Sequence, residues 1–239
     1  MKTGSLRRYY NPSLETLSRD QLQGLQFRRL SALLRRVARG NDFYRERFAE
    51  HRVDPDAIKS LDDFARRVPL LTKQDLLKDQ NERPPYGARL EVPPGDLAYT
   101  CLTSGTTGLG QEAHPIAWRD LEELGDSFCY KFHWDGLQLG DRAYTMWPIG
   151  LQIAGLAVPR GFQKYGVDSY LVPALEAARK VETMRRFPPN YIVAVPAYLT
   201  RLMVLCQQMG IDPRRDFPHL RAVDATTQAY TLDWAREME

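Results

Sequence analysis

Apolar positions in the first ninety residues recur at helical spacing. Leu30, Leu33, Leu34 and Val37 fall on one side of a segment from Leu14 to Arg39. That spacing predicts a helix opening near Ser13 or Ser18 and closing at Gly40, whose missing Cβ suits a helix end. A second, shorter helix is predicted over "NDFYRERFAE". "SLDDFARR" and "TKQDLLKD" each start with a hydroxyl residue followed three positions later by Asp, a relative of the capping box, and Pro69 separates them.

From about residue 97 the period changes. Short runs rich in β-branched and aromatic residues, "DLAYTCLT", "RAYTMWPI", "DSYLVP", "YIVAVP" and "RAVDATT", read as strands. Between them lie the helix-length segments "AWRDLEELGDSFCYKFHW", "GLQIAGLAVPRGFQKYG", "ALEAARKVETMRRF" and "AYLTRLMVLCQQMG". Strand and helix in alternation predict an α/β fold, a mostly parallel sheet flanked by helices, behind a helical N-terminal preface. The proline-rich "NERPPYGARLEVPPGD" marks the boundary, which places the preface at residues 1–90 and the sheet region at 91–239. In such sheets ligands gather at the carboxyl ends of the strands.

Composition narrows the function classes. The 239 residues are 43% hydrophobic, enough for a core. Residues 1–51 carry eleven Lys and Arg against five Asp and Glu. These arginines fall on the polar side of the apolar stripe, so a solvated helix face is expected rather than a nucleic-acid contact. "WPIGLQIAGLAVP" is too short and too interrupted by proline to span a bilayer, and "MKTGSLRRYY" has no apolar segment behind its charges, so a cytoplasmic protein without membrane contact is expected. Cys101, Cys129 and Cys206 lie far apart without CxxC spacing and read as buried thiols, not as a disulfide or zinc framework.

The chemistry concentrates in "TSGTTG", residues 103–108, directly after a predicted strand. Gly105 and Gly108 permit a sharp turn through positive φ. Successive N–H groups with the hydroxyls of Thr103, Ser104, Thr106 and Thr107 can surround phosphate oxygens as an anion nest. The pattern is neither the Walker loop, which needs its lysine, nor the dinucleotide GxGxxG. In the neighbouring "QEAHP", Glu112 and His114 are expected to be solvated loop groups, with a place near the site as the alternative.

"TSGTTG" resembles the phosphate-binding signature of the adenylate-forming (acyl-activating) superfamily. Together with "LQFRRLSALLRRVARGNDFYRERF", "SLDDFARRVPLLTKQDL", "IGLQIAG", "VPAYLTRLM", "FPHLRAV" and "WAREME", it resembles the N-terminal portion of the phenylacetate–coenzyme A ligases. The resemblance implies ATP-dependent activation of a carboxylic acid to an acyl adenylate and then a coenzyme A thioester. It implies a nucleotide-binding role for the sheet region, with Thr103, Ser104, Gly105, Thr106, Thr107 and Gly108 on the ATP phosphates. Trp147, Gly150, Gln152 and Tyr198 would lie about the acyl pocket of an aryl or otherwise apolar acid, although core packing is the plainer reading of Tyr198. The implied cofactors are ATP, Mg²⁺ and coenzyme A.

Two departures qualify this. "TTQA" stands where the family has a glycine-rich turn ending in glutamate: Thr226 and Thr227 replace small residues, and Gln228 replaces the acid. The family also continues beyond the last residue here with an adenine-gripping aromatic motif, a ribose-binding aspartate, a hinge and a small domain bearing the adenylation lysine. A truncated ligase, one half of a split enzyme completed by a second chain, and a non-catalytic binding remnant are the three readings; a homodimer is a further option for the sheet edge left open.

Overall fold

The structure, a computed structural model, describes residues 8–105, 108, 110–146, 153–172 and 175–238. The chain divides into two compact units, residues 11–120 and residues 1–10 with 121–239.

The first unit opens with α1 (Pro12–Glu15) and α2 (Arg19–Gly40). Of the two expected starts the long helix takes Ser18, and Leu14 falls in the separate short helix before it. The Ser18 side chain accepts from Gln21 N while Gln21 Oε1 accepts from Ser18 N, a complete capping box. Leu34 and Val37 are buried with Phe48, Val53 and Ile58, and Phe27 and Leu30 pack against them. Leu33, expected on that stripe, is 46% exposed. It precedes Leu34 by one residue and is turned about 100° away from it on the helix. The helix closes at Gly40 as expected, but the capping residue is Asn41, in extended conformation, whose N–H donates to Val37 O and whose side chain caps α3 (Asp42–Glu50) at Tyr44 N. Asn41 is buried and also donates to Arg89 O, so one side chain fixes the corner between two helices.

Ser60 caps α4 (Leu61–Arg67) and Thr72 caps α5 (Lys73–Glu82), both as the sequence predicts. Buried Asp79 of α5 accepts from Ala88 N and Arg89 Nε. Gly87 follows from that contact: at φ +73°, a Cβ there would lie 1.8 Å from Asp79 Oδ2. Beyond it, β1 (Leu97–Leu102) and β2 (Ala113–Ala117) pair antiparallel as a two-stranded sheet, with Cys101 opposite His114 and Leu102 opposite Ala113. Two expectations change here. The "DLAYTCLT" strand does not join the parallel sheet, and most of "QEAHP", read as loop, is its strand partner.

The second unit holds α6 (Trp118–Trp134), which enters it at Leu121, and then alternates strands with helices, two of them before the last strand. It runs β3 (Arg142–Thr145), α7 (Ala154–Tyr165), β4 (Asp168–Leu171), α8 (Ala177–Arg186), β5 (Tyr191–Ala194), α9 (Pro196–Gln208), α10 (Pro213–Asp216), β6 (Ala222–Ala225) and α11 (Leu232–Met238). The four strands are all parallel in the order β4-β3-β5-β6. Every residue of β5 is buried, as a central strand covered on both faces requires. Tyr144, Ile192 and Ala194 pack on one face with Val181 and Met184 of α8 and Leu199 and Leu202 of α9. Ala143, Tyr191 and Val193 pack on the other with Cys129 and Phe132 of α6 and Val158 and Phe162 of α7. All three cysteines are buried thiols, as expected. No helix among the described residues is long and apolar enough to cross a membrane.

The Thr72–Asp75 box yields a pH test. The backbone and side-chain hydrogen bonds from Thr72 hold the Asp75 carboxyl below the ordinary carboxylate range, so its stabilisation is present at neutral pH and lost as pH falls through that lowered value. Asp75→Asn is expected to lower stability in urea by under about 1 kcal/mol at neutral pH, with the difference closing only below about pH 4. A gap unchanged down to acid unfolding would contradict this.

Candidate functional site

The glycine-rich loop hangs from the β1–β2 hairpin. Thr103 and Glu112 close its stem: Thr103 N donates to Glu112 O (3.1 Å) and Glu112 N donates to Thr103 Oγ1 (3.0 Å). Gln111 Nε2 adds a bond to Thr103 O (3.1 Å). Above this stem the backbone turns through left-handed positions at Gly105 (φ +69°) and Gly108 (φ +73°), and Gly108 N donates to Gly105 O (3.2 Å). Gly105 and Gly108 thus close one tight turn, with Thr103 and Ser104 leading into it from the stem; Thr106 and Thr107 lie outside the described residues. The Thr103 hydroxyl accepts from the stem and keeps its own O–H to donate, and Ser104 is exposed. A turn of this kind offers neutral donors to an anion.

Sequence reasoning missed what holds the loop. Gln80 of α5 donates Nε2 to Gln111 O (3.2 Å) and accepts Ala113 N at Oε1 (2.8 Å), so one amide brackets Glu112 from both sides. Glu112 is not the solvated charge expected of it. It is buried, with Oε2 3.2 Å from His114 Nε2.

In the sheet unit, the chain runs from β3 outward to β4, then returns across the sheet to β5 and β6. The strand order reverses between β3 and β5, the switch point where open parallel sheets receive ligands. Trp147, Gly150 and Gln152 follow β3 directly but lie outside the described residues. Tyr198, in the first turn of α9, is partly buried against the core cluster of Tyr144, Met146 and Leu199. Lys180 of α8, which sequence reasoning passed over, lies buried with its Nζ 4.6 Å from the centre of the Tyr198 ring and 3.4 Å from Met146 O.

Beyond β6, Gln228 Oε1 accepts from Ala197 N (3.1 Å). The amide therefore caps α9, whose own preceding residue, Val195, supplies no side-chain cap. Thr226 N donates to Ala194 O, tying this turn to the end of β5. Pro196, Ala197, Thr200, Gln228, Tyr230 and Trp234 line an open groove of about 620 Å³. Trp234 Nε1 donates to Thr200 Oγ1 (2.9 Å) and its ring lies 4.9 Å from that of Tyr230.

A charged network underlies β6. Lys131 Nζ meets Asp135 Oδ2 (2.7 Å) and Asp224 Oδ2, and Tyr191 OH donates to Asp135 Oδ2 (2.6 Å). Burial works against the Lys131 charge, but its bonds to Asp135 and Asp224 outweigh it and raise the ammonium's pKa. Burial pushes the Asp224 carboxyl up, with Lys131 pulling it back. All four groups are satisfied within the fold, so the network is structural.

No family model matches the chain. It is 27% identical over 202 residues to a phenylacetate-coenzyme A ligase of Aromatoleum evansii and 29% identical over 204 residues to one of Thermus thermophilus. These alignments cover 84% and 85% of this chain and 44% of each relative, so the chain spans less than half of their length. In structure it matches an open conformation of 2-hydroxyisobutyryl-CoA ligase, in complex with 2-HIB-AMP and CoA, with a TM-score of 0.90. That match covers 97% of this chain and 54% of the other at 22% identity. The same ligase in the thioesterification state gives 0.84 over 91% and 46% at 24% identity, and at these identities the likeness shows the fold. Over most of its length the chain is thus similar to less than half of a phenylacetate-coenzyme A ligase. The "TTQA" turn beyond β6 carries backbone strain. Thr227, a β-branched residue, sits at φ +70°, where glycine is at ease and threonine is strained.

Thr227→Gly is therefore expected to stabilise this ligase-like chain by about 1 kcal/mol, read as a higher urea midpoint at unchanged slope. A midpoint that stays or falls would show the turn to be unstrained.

Proposed function

We propose that this chain is the N-terminal part of an acid–thiol ligase that activates a carboxylic acid with ATP and passes the acyl group to coenzyme A. A carboxylate oxygen bonds to the α-phosphorus while the bond to pyrophosphate breaks. The coenzyme A sulfur then bonds to the acyl carbon while the bond to AMP breaks, and the thiol proton leaves to solvent. The observation that carries this reading is the "TSGTTG" turn, with left-handed glycines at 105 and 108, held on a hairpin stem. Its donors, Thr103 to Gly108, would hold the nucleotide phosphates by position and charge stabilisation.

The acid is proposed to be aryl or otherwise apolar, received about Trp147, Gly150, Gln152 and Tyr198. Among the described residues no group of three or more His, Cys, Asp or Glu could cage a metal. Mg²⁺ would be held chiefly by the ATP phosphates it accompanies, and no step is assigned to it here.

The test is ATP binding by the purified chain, together with carboxylate-dependent exchange of labelled pyrophosphate into ATP, using phenylacetate, benzoates and fatty acids. Binding is expected, with exchange supported by an aryl acid. Gly105→Val is expected to weaken ATP at least roughly tenfold, since the residue has φ +69° and even a Cβ would stand 2.9 Å from Gln111 Cγ. ATP binding without exchange would make this a binding module; a flat ATP titration would remove the reading.

A further inference from the structure

Lys180 is 3% exposed. An ammonium taken out of water needs partners for three donors, and its charge needs an anion. Among the described residues it has one hydrogen bond, to Met146 O at 3.4 Å, and the face of Tyr198 with the ring centre at 4.6 Å. No carboxylate among them lies within ion-pair distance of it, although every other buried charge in this unit has such a partner or a network: Asp141 meets Arg221 and Asp224 meets Lys131.

Its place is as informative as its isolation. Met146 immediately follows β3 and Tyr198 lies in the first turn after β5, so Nζ sits at the carboxyl ends of the two strands that flank the order reversal. The N-terminus of α9, a 13-residue helix, begins at the same strand end and contributes positive potential there. Two independent sources of positive charge thus converge where this fold class receives ligands. The first turn of α9 has no acidic residue, and no described carboxylate lies within ion-pair distance of Lys180.

We propose that Lys180 is an anion seat for the acid substrate: its ammonium pairs with a carboxylate oxygen of the bound acid while the Tyr198 ring flanks the hydrocarbon. This rests on the ligase reading and sharpens it, because it fixes the polar end of the pocket inside this chain. Met146 O and the Tyr198 ring hold the ammonium in place before the acid arrives, which lowers the ordering cost of binding.

The test uses the whole 239-residue chain and its Lys180→Met and Lys180→Gln variants, titrated calorimetrically with phenylacetate, with its neutral amide phenylacetamide, and with AMP. Lys180→Met is expected to weaken phenylacetate at least roughly tenfold while leaving phenylacetamide and AMP within about twofold. Its melting temperature should hold or rise, because an apolar chain of similar volume replaces a buried charge. Lys180→Gln, which can still bond Met146 O, should lose phenylacetate equally and serves if the methionine variant does not fold. Equal weakening of acid and amide would make Lys180 a packing residue, and weakening of AMP alone would move the seat to the nucleotide phosphate; either overturns the proposal, as does unchanged acid affinity. A wild-type chain that binds AMP but no acid overturns the seat and leaves the nucleotide reading standing. One that binds neither overturns both.

Discussion

The pairing of β3 with β5 is the constraint on which the sheet unit depends. These strands are distant in sequence, and Ala143 opposite Tyr191, Tyr144 opposite Ile192 and Thr145 opposite Val193 must meet before either face can be covered. Pairing over such a separation carries a loop-closure cost that local helices do not. Asn190 concentrates the compensation at the amino ends. Its side chain accepts Arg142 N and donates to His219 O, while its backbone accepts Arg221 N and donates to Arg142 O. One residue therefore laces the starts of β3, β5 and β6 together. Tyr144 OH to Phe187 O and Arg142 Nε to Pro188 O, both 2.6 Å, reinforce the same end.

This gives the sheet a polarity. Side-chain hydrogen bonds bolt the amino ends, and the carboxyl ends carry the turns after β5 and β6, the cap from Gln228 and the buried ammonium. In the 11–120 unit the same division holds on a smaller scale. The Thr103–Glu112 stem and the Gln80 amide engage the backbone groups below the loop.

What was legible in the sequence was local. Ser60 and Thr72 announce their caps because donor and acceptor lie three residues apart, and alternation predicts the parallel sheet because each crossover helix sits next to its strands. The partner of β1 was not legible: Ala113–Ala117 contains Pro115 and follows a glycine-rich turn, and only tertiary pairing makes it a strand. Gln80 left no signal, since an amide on a polar helix face looks solvated until its partners are known. Lys180 did leave one. Ala177, Val181 and Met184 form the inward stripe of α8, and Lys180 lies on it, three residues after the first and four before the last. A lysine on an apolar stripe is a question that periodicity alone can raise.

Gln228 has a structural role of its own. A glutamate there would cap α9 equally well by geometry and would bring a negative charge to the helix N-terminus. The amide keeps the hydrogen bond to Ala197 N and leaves the charge out, so the positive end of α9 stays uncompensated. Lys180, near the same strand end, likewise has no acid among the described residues. A carboxylate in place of the Gln228 amide would bring negative charge to the first turn of α9, which has no acidic residue of its own.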